Sequence, residues 1–160
     1  MSRVRDRIGV GLLAAAFAFL VGAIVVAQWL GTRSPADPEN AAQVARGKPV
    51  YDRLCASCHG ARLEGQPNWQ EKLSTGRMPA PPHDASGHTW HHPDAVLFGI
   101  TKDGLVPGKY APPGYQSDMP GFGGDLSDEE IWAVLAYIKS SWPPHIRKAQ
   151  DEMTREQGRR

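Results

Sequence analysis

Cysteine is scarce in this 160-residue chain, which has only Cys55 and Cys58. Lying three positions apart, they exclude a long-range disulfide as the organiser of the fold. Net charge is scarce too. Eighteen Lys and Arg stand against 17 Asp and Glu, a formal +1, so no basic excess points to nucleic acid. No internal repeat is visible. Turn-forming residues, in contrast, are abundant: 14 Pro and 17 Gly, most of them between about residues 60 and 125. The middle of the chain is therefore predicted to be loop-rich, and such a chain has difficulty building a large core from its own side chains. An apolar prosthetic group would relieve that shortage.

One long apolar run is present. Arg3, Arg5 and Arg7 precede a stretch without charge from Ile8 to Leu30. At about 1.5 Å rise per residue, a helix of that length spans a hydrocarbon core roughly 30 Å thick. A secretory signal has an apolar region of only about 7–15 residues. Residues 8–30 are therefore read as a transmembrane anchor or uncleaved signal, although Val25-Val26-Ala27 offers an imperfect cleavage site. Flanking arginines keep residues 1–7 in the cytoplasm and send the rest across the membrane. The expected location is the bacterial inner membrane, crossed once, with the folded part on the periplasmic side. Residues 31–40 contain two prolines and read as a stiff, extended linker. A domain is expected over 41–142. Pro143-Pro144 then ends the folded part, leaving 143–160 as a charged tail, either a solvated helix or disordered.

Residues 55–59 read Cys-Ala-Ser-Cys-His, the attachment pattern for c-type haem. Two thiols three positions apart on a helical turn reach the two vinyl groups on one porphyrin edge and form thioethers. The adjacent imidazole of His59 falls beneath the iron as an axial ligand. A zinc site would want a second Cys or Cys/His pair at finger-like spacing, and no second Cys pair exists. A thioredoxin-type dithiol would open a helix after a strand, whereas the flanks here look helical and then looped.

The surrounding residues carry a family resemblance. Gly47-Lys48-Pro49-Val50-Tyr51-Asp52-Arg53-Leu54 followed by Cys55-Ala56-Ser57-Cys58-His59-Gly60 resembles the first helix and haem loop of class I cytochromes c. In that family a Gly and an aromatic, eight and four residues before the first Cys, pack against the C-terminal helix; Gly47 and Tyr51 match them. Pro49 departs from the pattern and predicts a kink or a helix start there. The C-terminal helix is legible by itself. Ser127-Asp128-Glu129-Glu130 is a capping box, and Ile131, Val134, Leu135 and Ile138 have the spacing of a buried face. Tyr137 falls where the family's helix carries an aromatic beside the first helix. Met119, in Ser-Asp-Met-Pro-Gly-Phe-Gly-Gly, closely resembles the family's Met-Pro ligand loop, which implies Met119 as the second axial ligand. Met78 is also followed by Pro, but it suits a gap-filling role better. The family further implies a proline carbonyl that accepts from the axial imidazole, with Pro67 and Pro79 as candidates.

The segment His83 to His92 holds His88, His91 and His92 at a spacing that allows a weak copper or zinc site. In the plainer alternative they are polar loop contacts, and His92-Pro93 opens a short helix over 93–100. Trp90 is read as core in preference to a haem-edge or propionate contact. The expected fold is all-α: three to four short helices of cytochrome c type around one covalent haem c, preceded by one transmembrane helix. The implied function is one-electron carriage between redox protein partners in or near the membrane. The alternative is a haem-containing redox enzyme subunit, or a metal-handling protein that uses His88, His91 and His92.

Overall fold

The computed structural model describes residues 17–23 and 34–159. The chain divides into two units, Met1–Arg33 and Ser34–Arg160. In the first, residues 17–23 are helical. The remainder of the predicted span, its flanking arginines and residues 31–33 of the linker lie outside the described residues. No helix among the described residues is long and apolar enough to cross a membrane.

The second unit is helical. Its elements are α1 (Ala41–Leu54), α2 (Ala56–His59), a 3-10 turn (Thr89–His91), α3 (Asp94–Asp103), α4 (Asp128–Ser140) and α5 (Pro144–Gln157). No strand occurs among the described residues, where an isolated bridge joins Pro107 and Ala111. Long loops fill residues 60–88 and 104–127, as the Pro and Gly content predicts.

The start of α1 is set by Asn40, whose side chain accepts from the Gln43 N–H. Pro49 therefore does not begin the helix; it sits inside it. Pro49 is exposed, so the carbonyl left without a donor faces water and the loss is tolerated. The opposite face buries Gly47, Val50 and Tyr51. It packs chiefly against α4, where the predicted capping box is formed and Ile131, Val134, Leu135 and Ile138 are all buried. At the crossing, a Cβ on Gly47 would lie 1.9 Å from the Ala133 carbonyl oxygen. Only a residue without a side chain lets these backbones approach so closely. Tyr51 lies 5.4 Å from Tyr137, centroid to centroid.

The chain's end departs from expectation. Pro143-Pro144 does not end the folded part, because Pro144 occupies the first turn of α5, where a missing N–H costs nothing. Ile146 and Gln150, one turn apart on α5, are buried. The predicted linker is also folded in from Ser34 onward: Ala36 is fully buried, and Gln43 Nε2 donates to the Pro35 carbonyl at 2.7 Å.

These peripheral segments meet at a buried ion pair. Lys139, fully buried on α4, places its Nζ 2.9 Å from Oδ1 of Asp94, the first residue of α3. Lys139 also donates to Ser34 Oγ at 3.2 Å. Gln150 Nε2 donates to the same Asp94 oxygen at 2.6 Å, and the Asp94 N–H donates to Thr154 Oγ1 at 3.1 Å. Lys139 lies four residues after Leu135 and eight after Ile131, so helical periodicity itself puts it on the buried face.

Two stability predictions follow from these contacts. Gly47→Ala should lower the stability of the holoprotein by about 1–3 kcal/mol, read as a reduced thermal midpoint with haem content unchanged. Lys139→Met should cost about 3–5 kcal/mol by leaving Asp94 buried without a counter-charge. The double change Lys139→Met with Asp94→Asn should recover much of that loss; denaturant titration of the three proteins decides it.

Candidate functional site

The three motif residues are set by a helix end and a single turn. Cys55 caps α1, its N–H bonded to the Tyr51 carbonyl, and α2 then carries Cys58 and His59. Gly60, at φ +83°, ends that turn. Cys55 is buried and Cys58 exposed. Burial, with the neighbouring Cys58 adding to it, pushes the Cys55 thiol up to about 11, which holds it in the S–H form. Addition of S–H across a vinyl C=C, sulfur to one carbon and hydrogen to the other, is the chemistry of thioether attachment.

His59 is buried, and its Nδ1 lies 2.8 Å from the Pro81 carbonyl oxygen. That carbonyl can only accept, so Nδ1 carries the hydrogen and Nε2 keeps a free lone pair for a metal. Burial pulls the imidazole below its ordinary value, with the Pro81 bond partly opposing. The neutral ring is the ligating form. The partner is thus Pro81, neither Pro67 nor Pro79. The register comes from a backbone clasp: Gln66 N–H donates to Ala80 O at 2.9 Å, and His83 N–H to Leu63 O at 2.8 Å. Leu63 adopts φ +70° to present that carbonyl. Gly65 permits the approach, since a Cβ there would lie 2.4 Å from Pro82 N.

Met119 is partly buried and packs against the apolar core. Its loop is strapped at both ends. Arg77 pairs with Asp118, and on the other side Phe122 N–H donates to Thr101 O and Gly123 N–H to Lys102 O, both at 2.9 Å. Met78 lines a surface cavity with Lys72, Tyr115 and Gln116.

The histidine-rich segment does not assemble the metal site that its spacing allows. His88 and His92 approach to 5.4 Å between ring centroids, but His91 stacks on Trp90 at 3.7 Å. Among the described residues, no group of three or more His, Cys, Asp or Glu is placed to hold a metal ion. Trp90 packs against the core, as expected, yet its buried Nε1–H has no acceptor in the protein. An orphaned buried donor costs about 1–3 kcal/mol, and a haem propionate is the kind of acceptor that would satisfy it. Leu54, Ala56, Phe98 and Trp132 are also only partly buried while packed on the core. An apolar prosthetic group suits such surfaces. The residues therefore fit haem: two thiols, a pre-oriented imidazole, an orphan donor and apolar side chains left half-covered.

Comparison with known proteins agrees. A family pattern described as Cytochrome c matches residues 44–142. The chain belongs to the cytochrome c family. As a family member it carries covalent haem c, for which Cys55 and Cys58 supply the sulfurs, and the haem iron supplies reversible one-electron chemistry. The chain is similar to the cytochrome bc1 complex cytochrome c subunit of Mycobacterium leprae, 40% identical over 57 residues, covering 28% of this chain and 20% of that protein. It is 27% identical over 132 residues to thiosulfate dehydrogenase of Stutzerimonas stutzeri, 72% of this chain and 37% of the relative. It is also 29% identical over 103 residues to cytochrome c-555 of Prosthecochloris aestuarii, 59% of this chain and 84% of the relative. The chain thus spans a fifth to just over a third of the first two. No solved structure matches it significantly.

Replacing one sulfur should leave haem attached by the other. Cys58→Ala is expected to retain haem through denaturation while one vinyl stays conjugated, shifting the pyridine haemochrome band to longer wavelength. Complete extraction of haem from this variant would show that Cys55 forms no thioether.

Proposed function

We propose that the chain is a membrane-anchored, class I mono-haem cytochrome that carries single electrons between redox proteins, with His59 and Met119 as axial ligands. The observation that carries the ligand assignment is the Met119 loop, held to α3 on one side and to Arg77 on the other. A side chain whose backbone is fixed before ligand binding needs little rearrangement when iron changes oxidation state, and small rearrangement is what outer-sphere transfer favours. Thioether sulfur as a ligand also raises the potential. Residues 8–30, behind Arg3, Arg5 and Arg7, are the proposed anchor, with the haem domain on the periplasmic face of a bacterial inner membrane. A tether confines diffusion to the membrane plane and raises the effective concentration near membrane-bound partners. The similarity to the cytochrome c subunit of a bc1 complex supports partners of that redox class.

A second reading makes the domain a redox-enzyme subunit whose haem iron itself acts on a small substrate. It draws on the likeness to thiosulfate dehydrogenase, which covers most of the chain. A substrate-binding iron requires an open position, so one experiment separates the readings. Ferric wild-type protein should show the sulfur–iron charge-transfer band, and Met119→Ala should lose it while Met78→Ala keeps it. A ferric spectrum unchanged by Met119→Ala would overturn the His/Met assignment.

A further inference from the structure

The ring of His83 lies against that of His59, with centroids 3.9 Å apart and planes 29° from parallel. Nothing in the haem-attachment chemistry calls for a second imidazole here. Being face to face with the proposed axial ligand, His83 would share its side of a bound iron and is not a candidate for the opposite position. The ring is held from several directions. The His83 N–H donates to Leu63 O at 2.8 Å, and its carbonyl accepts from Trp142 Nε1 at 2.7 Å. Its Nδ1 lies 3.0 Å from Thr89 Oγ1. The Thr89 hydroxyl gives its hydrogen to the Pro82 carbonyl at 3.3 Å, so it accepts from His83 Nδ1–H, which fixes both tautomer and ring rotation. Tyr51 meets the same ring edge-on at 6.1 Å.

We propose that His83 is a positioning residue for the axial imidazole, a tethered flat wall that sets the rotation of the His59 ring about its bond to iron. The hydrogen bond to Pro81 holds one atom of His59 and leaves the ring free to rock about that contact. A planar neighbour 3.9 Å away restricts the rocking. An aliphatic side chain of similar volume fills the space without imposing an orientation. Ring orientation matters because the imidazole π-system mixes with particular iron d orbitals, so that angle enters the electronic anisotropy of ferric haem. The proposal deepens the electron-carrier reading and rests on His59 as an iron ligand.

The test uses the full-length holoprotein, with ferric low-spin electron paramagnetic resonance and the midpoint potential as readouts. His83→Leu should broaden the resonance into a spread of g values and shift the midpoint. His83→Phe, which restores a flat wall, should return a single set. Thr89→Val removes the tether without removing the ring and should broaden the signal in the same sense by a smaller amount; it carries the test if His83→Leu fails to accumulate as holoprotein. Wild-type line widths and midpoint in His83→Leu and Thr89→Val overturn the proposal, and so does equal broadening in the Phe and Leu variants. His59→Ala distinguishes the two levels: an unaltered low-spin spectrum there sinks the ligand assignment itself, whereas loss of it beside wild-type His83 variants sinks the wall alone.

Discussion

The close approach of α1 and α4 at Gly47 is the contact from which the rest of the domain is built. The Ala133 carbonyl occupies the volume where any other residue would carry its Cβ. Because α1 ends at Leu54 and the turn holding Cys58 and His59 begins at Ala56, the crossing fixes where the motif projects. A shift of one helix against the other would move both sulfurs and the imidazole together. Tyr51, fully buried beneath the crossing, reinforces this by donating its hydroxyl to the Gly60 carbonyl at 2.8 Å. The framework helix is thereby bonded directly to the turn it carries.

From that turn outward, the site depends on backbone more than on side chains. The loop after His59 has no regular structure to organise it, so hydrogen bonds between residues 63–66 and 80–84 supply the register. They bring Pro81 to the imidazole and His83 to its face. Two unusual conformations make this clasp: Leu63 in the left-handed region, costly for a side chain with a Cβ, and Gly65 at a backbone contact no larger residue fits. A left-handed leucine persists only where its surroundings over-determine it. Here Leu63 is buried and its carbonyl receives two N–H groups, from His83 and Asp84.

The parts legible in the sequence were those with local causes. The capping box at Ser127 and the apolar spacing of α4 each follow from residues within one or two turns, and both are formed. The haem motif is equally local. Gly47 and Tyr51 were readable through family resemblance, and their packing is as that resemblance implies. Matters set by distant partners were not legible. Which proline carbonyl faces His59 depends on the pairing of Gln66 with Ala80, and spacing does not distinguish one proline of a Pro-rich stretch from another. The histidine spacing allows a weak metal site or plain loop contacts without deciding between them, and stacking on Trp69 and Trp90 takes His88 and His91 in different directions. The folding of the tail is not legible in Pro143-Pro144, because a proline ends one helix as readily as it opens the next. The apolar Ile146, followed one turn later by Gln150, was the available sign of a buried face.

Burying Lys139 and Asp94 is costly by itself, since desolvating an ion pair often exceeds the attraction gained. Stability alone therefore does not account for it, and the geometry suggests what the pair contributes. Asp94 sits at the first turn of α3, where a carboxylate also interacts with the helix dipole. Its oxygens are shared by Lys139 from α4, Gln150 from α5 and Ser34 from the start of the domain, whose hydroxyl also accepts from Lys139. Apolar contacts do not discriminate sharply among rotations of a short helix. A carboxylate with directional partners from three segments does, because each misplacement leaves a buried charge without its donors. The residues just before Asp94 are the histidine-rich segment with Trp90, which packs on the core with a buried Nε1–H that no protein group accepts. Fixing Asp94 fixes the end of that segment, and Gln150 adds a bond to the His92 carbonyl at 3.2 Å. The added helix α5 is in this view part of the frame of the haem pocket.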